Sequence, residues 1–364
     1  MNAPETVFDL DFPQAHGAAV CRARLRAQPE DFQVEELLPD DFAFTGSGEH
    51  LCLLIRKRGE NTRWVARQLA AGADVAELDV GYCGLKDRRA LTTQWFSVST
   101  AATTAPDLGA LDAEVLELRR HQTKLRRGEH AGNRFLIRLR DVEGERTAIE
   151  QRLAVIAQGV PNYFGAQRFG IDGGNLPAAD RLLQSFGSQR DARQGGRRSN
   201  GRPSSGTKSK GRPPSARIGD DPRNGIFLSA ARSWLFNRML AERVRTGCWR
   251  HPLDGEAIPE GPLWGRGRPV AVAAVAALEQ EVLGAWRHWL HALEHVGLTQ
   301  ERRPLVLVPR AFTWSWEDTD LVLGFELDKG AFATAVLLEL VAAEVPEAAD
   351  RCAILPPSHE GIRE

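Results

Sequence analysis

Residues 81–98 have the sequence GYCGLKDRRALTTQWFSV, in which one carboxylate, Asp87, separates two β-strand patterns. The chain before it is apolar, as in a buried strand, and the residues from Thr93 to Val98 alternate as in a second strand. One lysine and two arginines directly flank the carboxylate. A short polar connection of this kind is most often a solvated turn. A carboxylate among cations at the end of a strand also suits a functional site, and these residues alone leave both interpretations open.

The bulk properties indicate a protein of more than one domain. Its 364 residues exceed the usual size of one hydrophobic core, so two domains are expected. A net charge of -1 does not point to nucleic acid, so such a partner has to be recognised from local patches. The five cysteines are scattered, which favours reduced thiols over a disulfide framework or a zinc site. We find no signal-peptide pattern and no apolar run that could span a bilayer, and therefore expect a cytoplasmic protein.

Secondary-structure patterns change character twice along the chain. Residues 20–140 are rich in strand patterns and contain one clear helix, for which Asn61 is a suitable N-cap. Helical patterns dominate to about residue 300, after which strands return. This order predicts an α+β fold, with a helical domain (159–306) inserted into a β-rich domain (1–158 and 307–364). The predicted helices of the second half are Asn175–Phe186, Ser229–Arg245 and Val270–His295.

One segment, residues 188–217, differs in composition from the rest. It consists mainly of Gly, Ser, Pro, Arg and Lys, with nine basic residues against the single acid Asp191. Such a composition cannot form a core, so we predict a disordered surface loop. It is either a basic arm that touches RNA or a tolerated loop expansion, and the sequence does not choose between them.

Basic residues are concentrated between residues 119 and 140. The outward positions of the strands predicted here carry many arginines without interspersed acids, which favours a surface that follows a phosphate backbone over an ordinary solvated face. These arginines are Arg119, Arg120, Arg126, Arg127, Arg134, Arg138 and Arg140.

Metal and nucleotide chemistry find little support. His288, His291 and His295 share one helical face, but the glutamate of a zinc-protease helix is missing, so a polar helix face is the better interpretation. We find no phosphate-binding glycine loop and no nucleophile elbow. We therefore expect neither a metal nor a cofactor.

The remaining candidate is Asp87 itself. A carboxylate held among cations is suited to act as a nucleophile rather than as a proton donor. Phe32, Phe135 and Phe332 lie in polar-apolar contexts where a ring is out of pattern, although core packing is the better interpretation of any one of them taken alone. From the residues alone, the prediction is a nucleophilic aspartate in a basic cleft lined by aromatic rings.

The segment GLKDRRALTTQWFSV (84–98) resembles the signature of the TruD family of tRNA pseudouridine synthases. Further blocks match in the same order along nearly the whole chain, apart from the basic segment. They are PEDFQVEE (29–36), NTRWVA (61–66), KLRRGEHAGNRFLIRLR (124–140), GVPNYFGAQRFG (159–170), LSAARSWLFN (228–237) and GAFATAVLLEL (330–340).

This resemblance implies a pseudouridine synthase catalytic domain with a mixed or antiparallel sheet, interrupted by the family's α-rich insertion domain at 159–306. It implies isomerisation of uridine-13 in certain tRNAs, including a glutamate tRNA, without a cofactor. The expected partner is tRNA, and we expect the protein to act as a monomer without a membrane or a metal.

Carried over by motif, Asp87 is the expected nucleophile. Phe32, Asn133, Phe135 and Phe332 are expected to hold the flipped uracil. Lys86 and Arg26 are expected to pair with Asp87 or with a phosphate. Two classes of function remain open: the isomerase, and an RNA-binding protein that kept the scaffold without the chemistry.

Overall fold

A computed structural model describes residues 8–195, 222–267 and 271–344. The chain divides into two compact units. The first, the helical unit, comprises Met1–Ala18, Gly159–Val308 and Thr334–Glu339. The second, the sheet unit, comprises Ala19–Gln158, Pro309–Ala333 and Leu340–Glu364. Among the described residues, no helix is long and apolar enough to cross a membrane.

The sheet unit is built on one ten-stranded mixed sheet. Its strands are β1 (Cys21–Leu25), β2 (Phe32–Leu37), β3 (His50–Arg58), β4 (Val80–Tyr82), β5 (Leu91–Ser99), β6 (Ala113–His121), β7 (Gly132–Glu143), β12 (Arg310–Glu317), β13 (Asp320–Asp328) and β14 (Val341–Glu344). Seven follow the order β12-β13-β7-β2-β5-β3-β6, with β4 beside β5 and β1 between β7 and β14. The pairs β2–β5 and β1–β14 are parallel and the others are antiparallel. The predicted α+β class with a mixed sheet is confirmed.

Two helices accompany this sheet, α1 (Thr62–Gly72) and α2 (Arg146–Ile156). The predicted N-cap of α1 is confirmed, because the Asn61 side chain accepts a hydrogen bond from the backbone N–H of Arg63. Val65 and Leu69 of α1 are buried in one core with residues of β3 and β5. The start of α1 therefore lies close to β5, where Thr62 is hydrogen-bonded to Gln94 of β5 and to the backbone of Lys86, next to Asp87.

The helical unit contains α3 (Asn175–Gly195), α4 (Pro222–Arg245), α5 (Ala273–Leu283) and α6 (Arg287–Leu293). Two short strand pairs join them: β8 (Val160–Pro161) with β11 (Val306–Leu307), and β9 (Glu260–Leu263) with β10 (Glu301–Pro304). A last short helix, α7 (Ala333–Leu338), follows β13. A helical insertion interrupts the β-rich part of the chain, as predicted.

Two sequence predictions in this unit need comment. The single helix predicted over Val270–His295 is wrong, because a 3-10 turn at Gly284–Trp286 separates α5 from α6. Glycine weakens a helix, and the break lets the Trp286 ring pack edge-on against Trp234, with 4.6 Å between ring centroids. The segment predicted as a disordered loop, 188–217, begins inside α3, which continues to Gly195. Residues 196–217 lie outside the described ranges.

Candidate active site

Asp87 lies in the loop between β4 and β5, where its side chain is about one-third exposed (35%). Its Oδ1 accepts a hydrogen bond from the backbone N–H of Arg89 at 2.9 Å, which closes a local turn. Its Oδ2 lies 2.8 Å from a guanidinium nitrogen of Arg26. One carboxylate oxygen is thus fixed by the backbone and the other by a cation, so the group has a defined orientation while solvent still reaches it.

Arg26 connects Asp87 to two of the predicted aromatic residues. It follows β1 with a positive φ of 58°, and its guanidinium lies 4.0 Å from the centre of the Phe32 ring. The Phe32 ring packs edge-on against Phe135, at 6.1 Å between centroids. Both rings are buried, at 4% and 7% exposure. The structure therefore brings Asp87, Arg26, Phe32 and Phe135 together, with the rings forming the floor beneath the ion pair.

Lys86 contacts Glu36 and Asn133. Its Nζ lies 2.7 Å from Glu36 Oε2 and donates a hydrogen bond of 2.7 Å to Asn133 Oδ1. Glu36 and Asn133 face each other on β2 and β7 because these residues are cross-strand partners. The contact with Glu36 is an ion pair whose angles fall outside hydrogen-bond geometry. The sequence left Asp87 or a phosphate as the partner of Lys86, and the structure provides Glu36 and Asn133 instead.

This ion pair is almost completely removed from water. The side chain of Lys86 is 4% exposed and that of Glu36 is 0% exposed. Burial raises the pKa of the Glu36 carboxyl, while the positive charge of Lys86 opposes the rise. A buried pair of this kind adds little net stability but fixes the position of both groups, since neither can leave without exposing the other.

The loop that carries Asp87 is held by a buried chain of three hydrogen bonds. Gln94 of β5 donates its amide to the carbonyl oxygen of Gly84 at 3.1 Å. The Thr62 hydroxyl donates to Gln94 Oε1 at 2.9 Å and accepts the backbone N–H of Lys86 at 3.0 Å. Thr62 and Gln94 were not identified as functional residues from the sequence. Both belong to the motif blocks quoted above, which is the signal that points to them.

Gly84 leaves room for the same ion pair. A Cβ atom at this position would lie 2.8 Å from Glu36 Oε2 and 2.9 Å from Lys86 Nζ. Real Cβ atoms essentially never approach other atoms so closely, so any side chain here would displace the pair. The glycine is required by this close approach.

Two further titratable groups lie near the loop. Lys57, at the end of β3, is fully buried, and its Nζ donates to the carbonyl oxygen of Glu60 at 2.6 Å. Burial lowers its pKa to about 8, although the negative charge of Asp87 acts to raise it. Burial, followed by the charge of Lys86, lowers the pKa of His130 to about 4, so this imidazole is neutral at pH 7. Sequence reasoning identified neither residue.

Comparisons with known proteins identify the family of this chain. The family model described as "tRNA pseudouridine synthase D (TruD)" matches residues 15–176, the region that holds Asp87, Arg26, Phe32 and Asn133. A tRNA pseudouridine synthase D of Cellvibrio japonicus is 46% identical over 345 residues, covering 92% of this chain and 94% of that protein. The chain belongs to the TruD family. Relatives of the same name from Xanthomonas campestris and Methylococcus capsulatus are 45% and 43% identical, over 90% and 92% of this chain.

A solved structure of the TruD family shares the fold. It is a crystal structure of a Methanosarcina mazei protein assigned to tRNA pseudouridine synthase D. It superposes with a TM-score of 0.64 over 90% of this chain and 95% of that chain, at 20% sequence identity. At this identity the likeness concerns the fold alone.

Phe332 is the remaining site residue expected from the TruD resemblance. It is half-buried and follows β13, whose residues Leu327 and Asp328 pair with Asn133 and Gly132 of β7. The backbone N–H of Lys329 continues this pairing to the carbonyl oxygen of Ala131. Lys329, three residues before Phe332, therefore lies beside Ala131, two residues before Asn133.

The basic surface of this TruD protein differs from the prediction. Most of the strand arginines between residues 119 and 140 pair with carboxylates, so the expectation of an unmixed basic strand face is wrong. The pairs are Arg119 with Glu117, Arg134 with Glu35 and Glu326, Arg138 with Glu317 and Asp320, and Arg140 with Asp31. Glu117 lies on the same strand as Arg119, and Asp31 directly precedes β2. The other acids belong to β2, β12 and β13, whose register in the sheet is not visible in the sequence.

Arg126 and Arg127 are different, because within the described ranges no carboxylate forms a salt bridge with either guanidinium. With Lys124 and Tyr82 they line a cleft of about 580 Å³. Arg127 lies 5.5 Å from the centre of the Tyr82 ring. Tyr82 ends β4, five residues before Asp87. The cations available for an anionic partner are thus concentrated at the approach to the Asp87 loop.

The histidine stripe of the helical unit is arranged in two parts. His288 contacts Asp180 at 3.1 Å. His291 and His295 lie with Glu294 in a group whose potential ligand atoms are within 4.8 Å of one another. His295 Nδ1 is already hydrogen-bonded to the carbonyl oxygen of His291 at 2.7 Å, and Glu294 accepts from Trp264. His288, Glu294 and His295 thus each have a protein partner.

Proposed function

We propose that this protein converts uridine to pseudouridine in tRNA, at position 13 of substrates that include a glutamate tRNA, with Asp87 as the nucleophile. The observation that carries the proposal is the Asp87 carboxylate, accessible to solvent and held at 2.8 Å by Arg26 above the Phe32 ring. Membership of a family whose relatives are named tRNA pseudouridine synthase D supports the same reaction. We propose further that it acts as a cytoplasmic monomer.

The geometry suits attack on an extruded nucleoside. A base inside a helical stack cannot bring its sugar within reach of the Asp87 carboxylate, so the target nucleotide has to leave the stack. Asp87 then attacks C1′ and the bond between C1′ and N1 breaks. The uracil turns, and C5 bonds to C1′ as the bond between Asp87 and C1′ breaks. The proton at C5 is lost and N1 gains a proton. Reactant and product are isomers, so no electrons are exchanged and the proposal needs no cofactor.

Arg26 and the rings of Phe32 and Phe135 hold the Asp87 carboxylate in position for this reaction. The guanidinium keeps Asp87 Oδ2 in place and stacks on Phe32, which leaves the carboxylate pointing away from the ring pair. Phe32 and Phe135 are too deeply buried to be intercalated between bases, and they support the site from below. We infer that Asn133 and Phe332, on either side of the β7–β13 pairing, complete the pocket for the uracil.

The cleft lined by Lys124, Arg126 and Arg127 suits the tRNA backbone. Phosphate contacts fix the register of a nucleic acid on a protein, whereas contacts to the base select it. These cations line the same cleft as Tyr82 of β4, the strand that leads into the Asp87 loop, so a phosphate bound there is near the extruded nucleotide.

The test is the variant Asp87→Asn, which keeps the shape of the side chain and removes the nucleophile. We expect release of tritium from tRNA labelled at uracil C5 to stop, and pseudouridine at position 13 to be absent, with the melting temperature close to wild type. Asp141→Asn is the matched control, since Asp141 also pairs with an arginine, Arg24, on the same sheet. Tritium release by Asp87→Asn at the wild-type rate would refute the role of Asp87.

The same experiment separates the alternative function. A wild-type protein that binds tRNA tightly but releases no tritium from any tRNA would be a non-catalytic tRNA-binding protein on this scaffold.

A further inference from the structure

The buried contact between Lys86 and Asn133 determines which way the asparagine amide faces. A carboxamide has an acceptor oxygen on one side and a donor NH₂ group on the other, and it can rotate to present either. A lysine ammonium has only donors. Because Lys86 Nζ donates to Asn133 Oδ1 at 2.7 Å, the oxygen is turned toward the lysine and the NH₂ group is turned away from it.

Lys86 is itself fixed from three sides. Its ammonium is paired with the fully buried carboxylate of Glu36 at 2.7 Å. Its backbone N–H is bound by the Thr62 hydroxyl at 3.0 Å. Gly84 supplies the space that the pair fills. A lysine on the surface would move away from the asparagine at little cost, whereas this one would leave a buried charge unpaired.

We propose that Lys86 and Glu36 are positioning residues that lock the Asn133 amide, so that its NH₂ group donates to O4 of the extruded base and selects uracil over cytosine. This inference rests on the proposed function and goes beyond it, since it names the group that recognises the base and the residues that set its polarity.

The chemistry of the two bases explains why the orientation of one amide is sufficient to distinguish uracil from cytosine. Uracil carries an acceptor oxygen at C4, where cytosine carries a donor amino group. An asparagine free to rotate would accept from the amino group of cytosine as readily as it donates to O4 of uracil. A locked amide places its NH₂ group, a donor, against the amino group of cytosine, which is also a donor. Neither of these two buried groups then has a hydrogen-bond partner. A hydrogen-bonding site rejects the wrong partner mainly through such unpaired groups.

The experiment compares the binding of two tRNA transcripts that differ only in having uridine or cytidine at the target position. All proteins carry Asp87→Asn, so that uridine is bound without being converted. We expect the parent protein to bind the uridine transcript at least about fivefold more tightly, the lower range for one well-placed base contact. In the double replacement Lys86→Met with Glu36→Gln, which removes both buried charges together, we expect the ratio of the two dissociation constants to fall toward one.

A second variant reverses the polarity directly. Asn133→Asp keeps an oxygen for Lys86 but presents an acceptor in place of the NH₂ group, so the preference should disappear or turn toward cytidine. If Lys86 and Glu36 had a purely structural role, their replacement would weaken the binding of both transcripts equally and leave the ratio of the two dissociation constants unchanged. That result, in a variant that melts like the parent, would overturn the proposal, as would a parent protein without preference. If the double replacement does not fold, an unchanged ratio in Asn133→Asp has the same meaning.

The proposed function is tested separately by tritium release with Asp87 intact. Absence of that activity counts against the isomerase, whereas an unchanged ratio of dissociation constants in an active enzyme counts only against the amide lock.

Discussion

Lys57 is a fully buried lysine whose charge depends on the state of Asp87. Burial disfavours its ammonium form and lowers its pKa to about 8, whereas the unfolded chain keeps the ordinary value of 10.5. Between these two values the unfolded state binds more protons than the folded state. The contribution of Lys57 to the free energy of unfolding therefore increases as the pH rises from about 8 to 10.5, and its burial as a cation costs stability below that range.

This coupling leads to a prediction about Asp87→Asn. Removing the negative charge that favours the ammonium form should shift the pKa of Lys57 further down, below about 8. The measurement is a pH titration of the lysine side-chain carbon resonances by NMR, with Lys57 assigned through Lys57→Arg. Asp141→Asn serves as the control and should leave the pKa of Lys57 unchanged. An unchanged or raised pKa in Asp87→Asn would contradict the proximity of the two groups.

At the scale of elements, the Asp87 loop depends on its attachment to the start of α1 and to β5. A hydrophobic core fixes the helix on the sheet. The Thr62 hydroxyl at the start of the helix is hydrogen-bonded to Gln94 of β5 and to the backbone N–H of Lys86, which attaches the loop to both elements. The loop has a buried apolar side chain at each end, Cys83 and Ala90, and an exposed Leu85 between them. Between these two anchors, hydrogen bonds and ion pairs hold the segment that carries Asp87.

Replacing Thr62 by valine tests this attachment, because valine has the same shape without the hydroxyl. We expect Thr62→Val to lose about 1–3 kcal/mol of stability, the cost of unpaired buried polar groups, and to lower kcat for tritium release at least tenfold. Thr62→Ser keeps the hydroxyl and should retain most of both. Equal activity in Thr62→Val and the wild type would show that the loop is held by other contacts.

The same elements show what the sequence could and could not predict. The strand–loop–strand pattern around Asp87 and the N-cap at Asn61 are local, and both were predicted correctly. The partnership of Glu36 with Asn133 depends on a register between strands almost a hundred residues apart, which no local pattern encodes. The partnership of Lys86 with Glu36 and Asn133 was consequently not predicted. The break at Gly284 was missed because apolar residues continue across it, and it is stabilised by contacts with Trp234 on another helix.

At the scale of the whole molecule, the distribution of charge matters more than its sum. The protein has 47 basic and 48 acidic residues, so its overall field does not attract an anionic partner. Within the described part of the sheet unit, carboxylates pair with Arg119 of β6 and with Arg134, Arg138 and Arg140 of β7. Attraction for a nucleic acid must then come from cations without acidic partners, and Arg126 and Arg127 are two such cations that line one cleft with Tyr82.

We therefore expect the double replacement Arg126→Gln with Arg127→Gln to weaken tRNA binding by roughly tenfold at low salt. It should also reduce the slope of log Kd against log salt by up to about two, one for each lost phosphate contact. Fluorescence anisotropy with labelled tRNA over a salt series measures both quantities. The control is Arg24→Gln with Arg119→Gln, which removes the same charge from exposed arginines that have acidic partners. Equal losses in the two proteins would mean that net charge, and not this cleft, governs binding.

The order of strands in the sheet has a consequence for how the protein is made. β13 pairs along most of one edge of β7, yet it follows β7 in the chain only after Gly159–Val308, the longest segment of the helical unit, has been synthesised. At about 5–20 residues per second, a ribosome needs roughly 10–35 s to cover that distance. For that time the nascent chain presents an unpaired strand edge in the middle of its future sheet, the kind of edge that invites pairing with another chain. We therefore expect synthesis of this protein to be helped by chaperones that bind exposed strands at the ribosome.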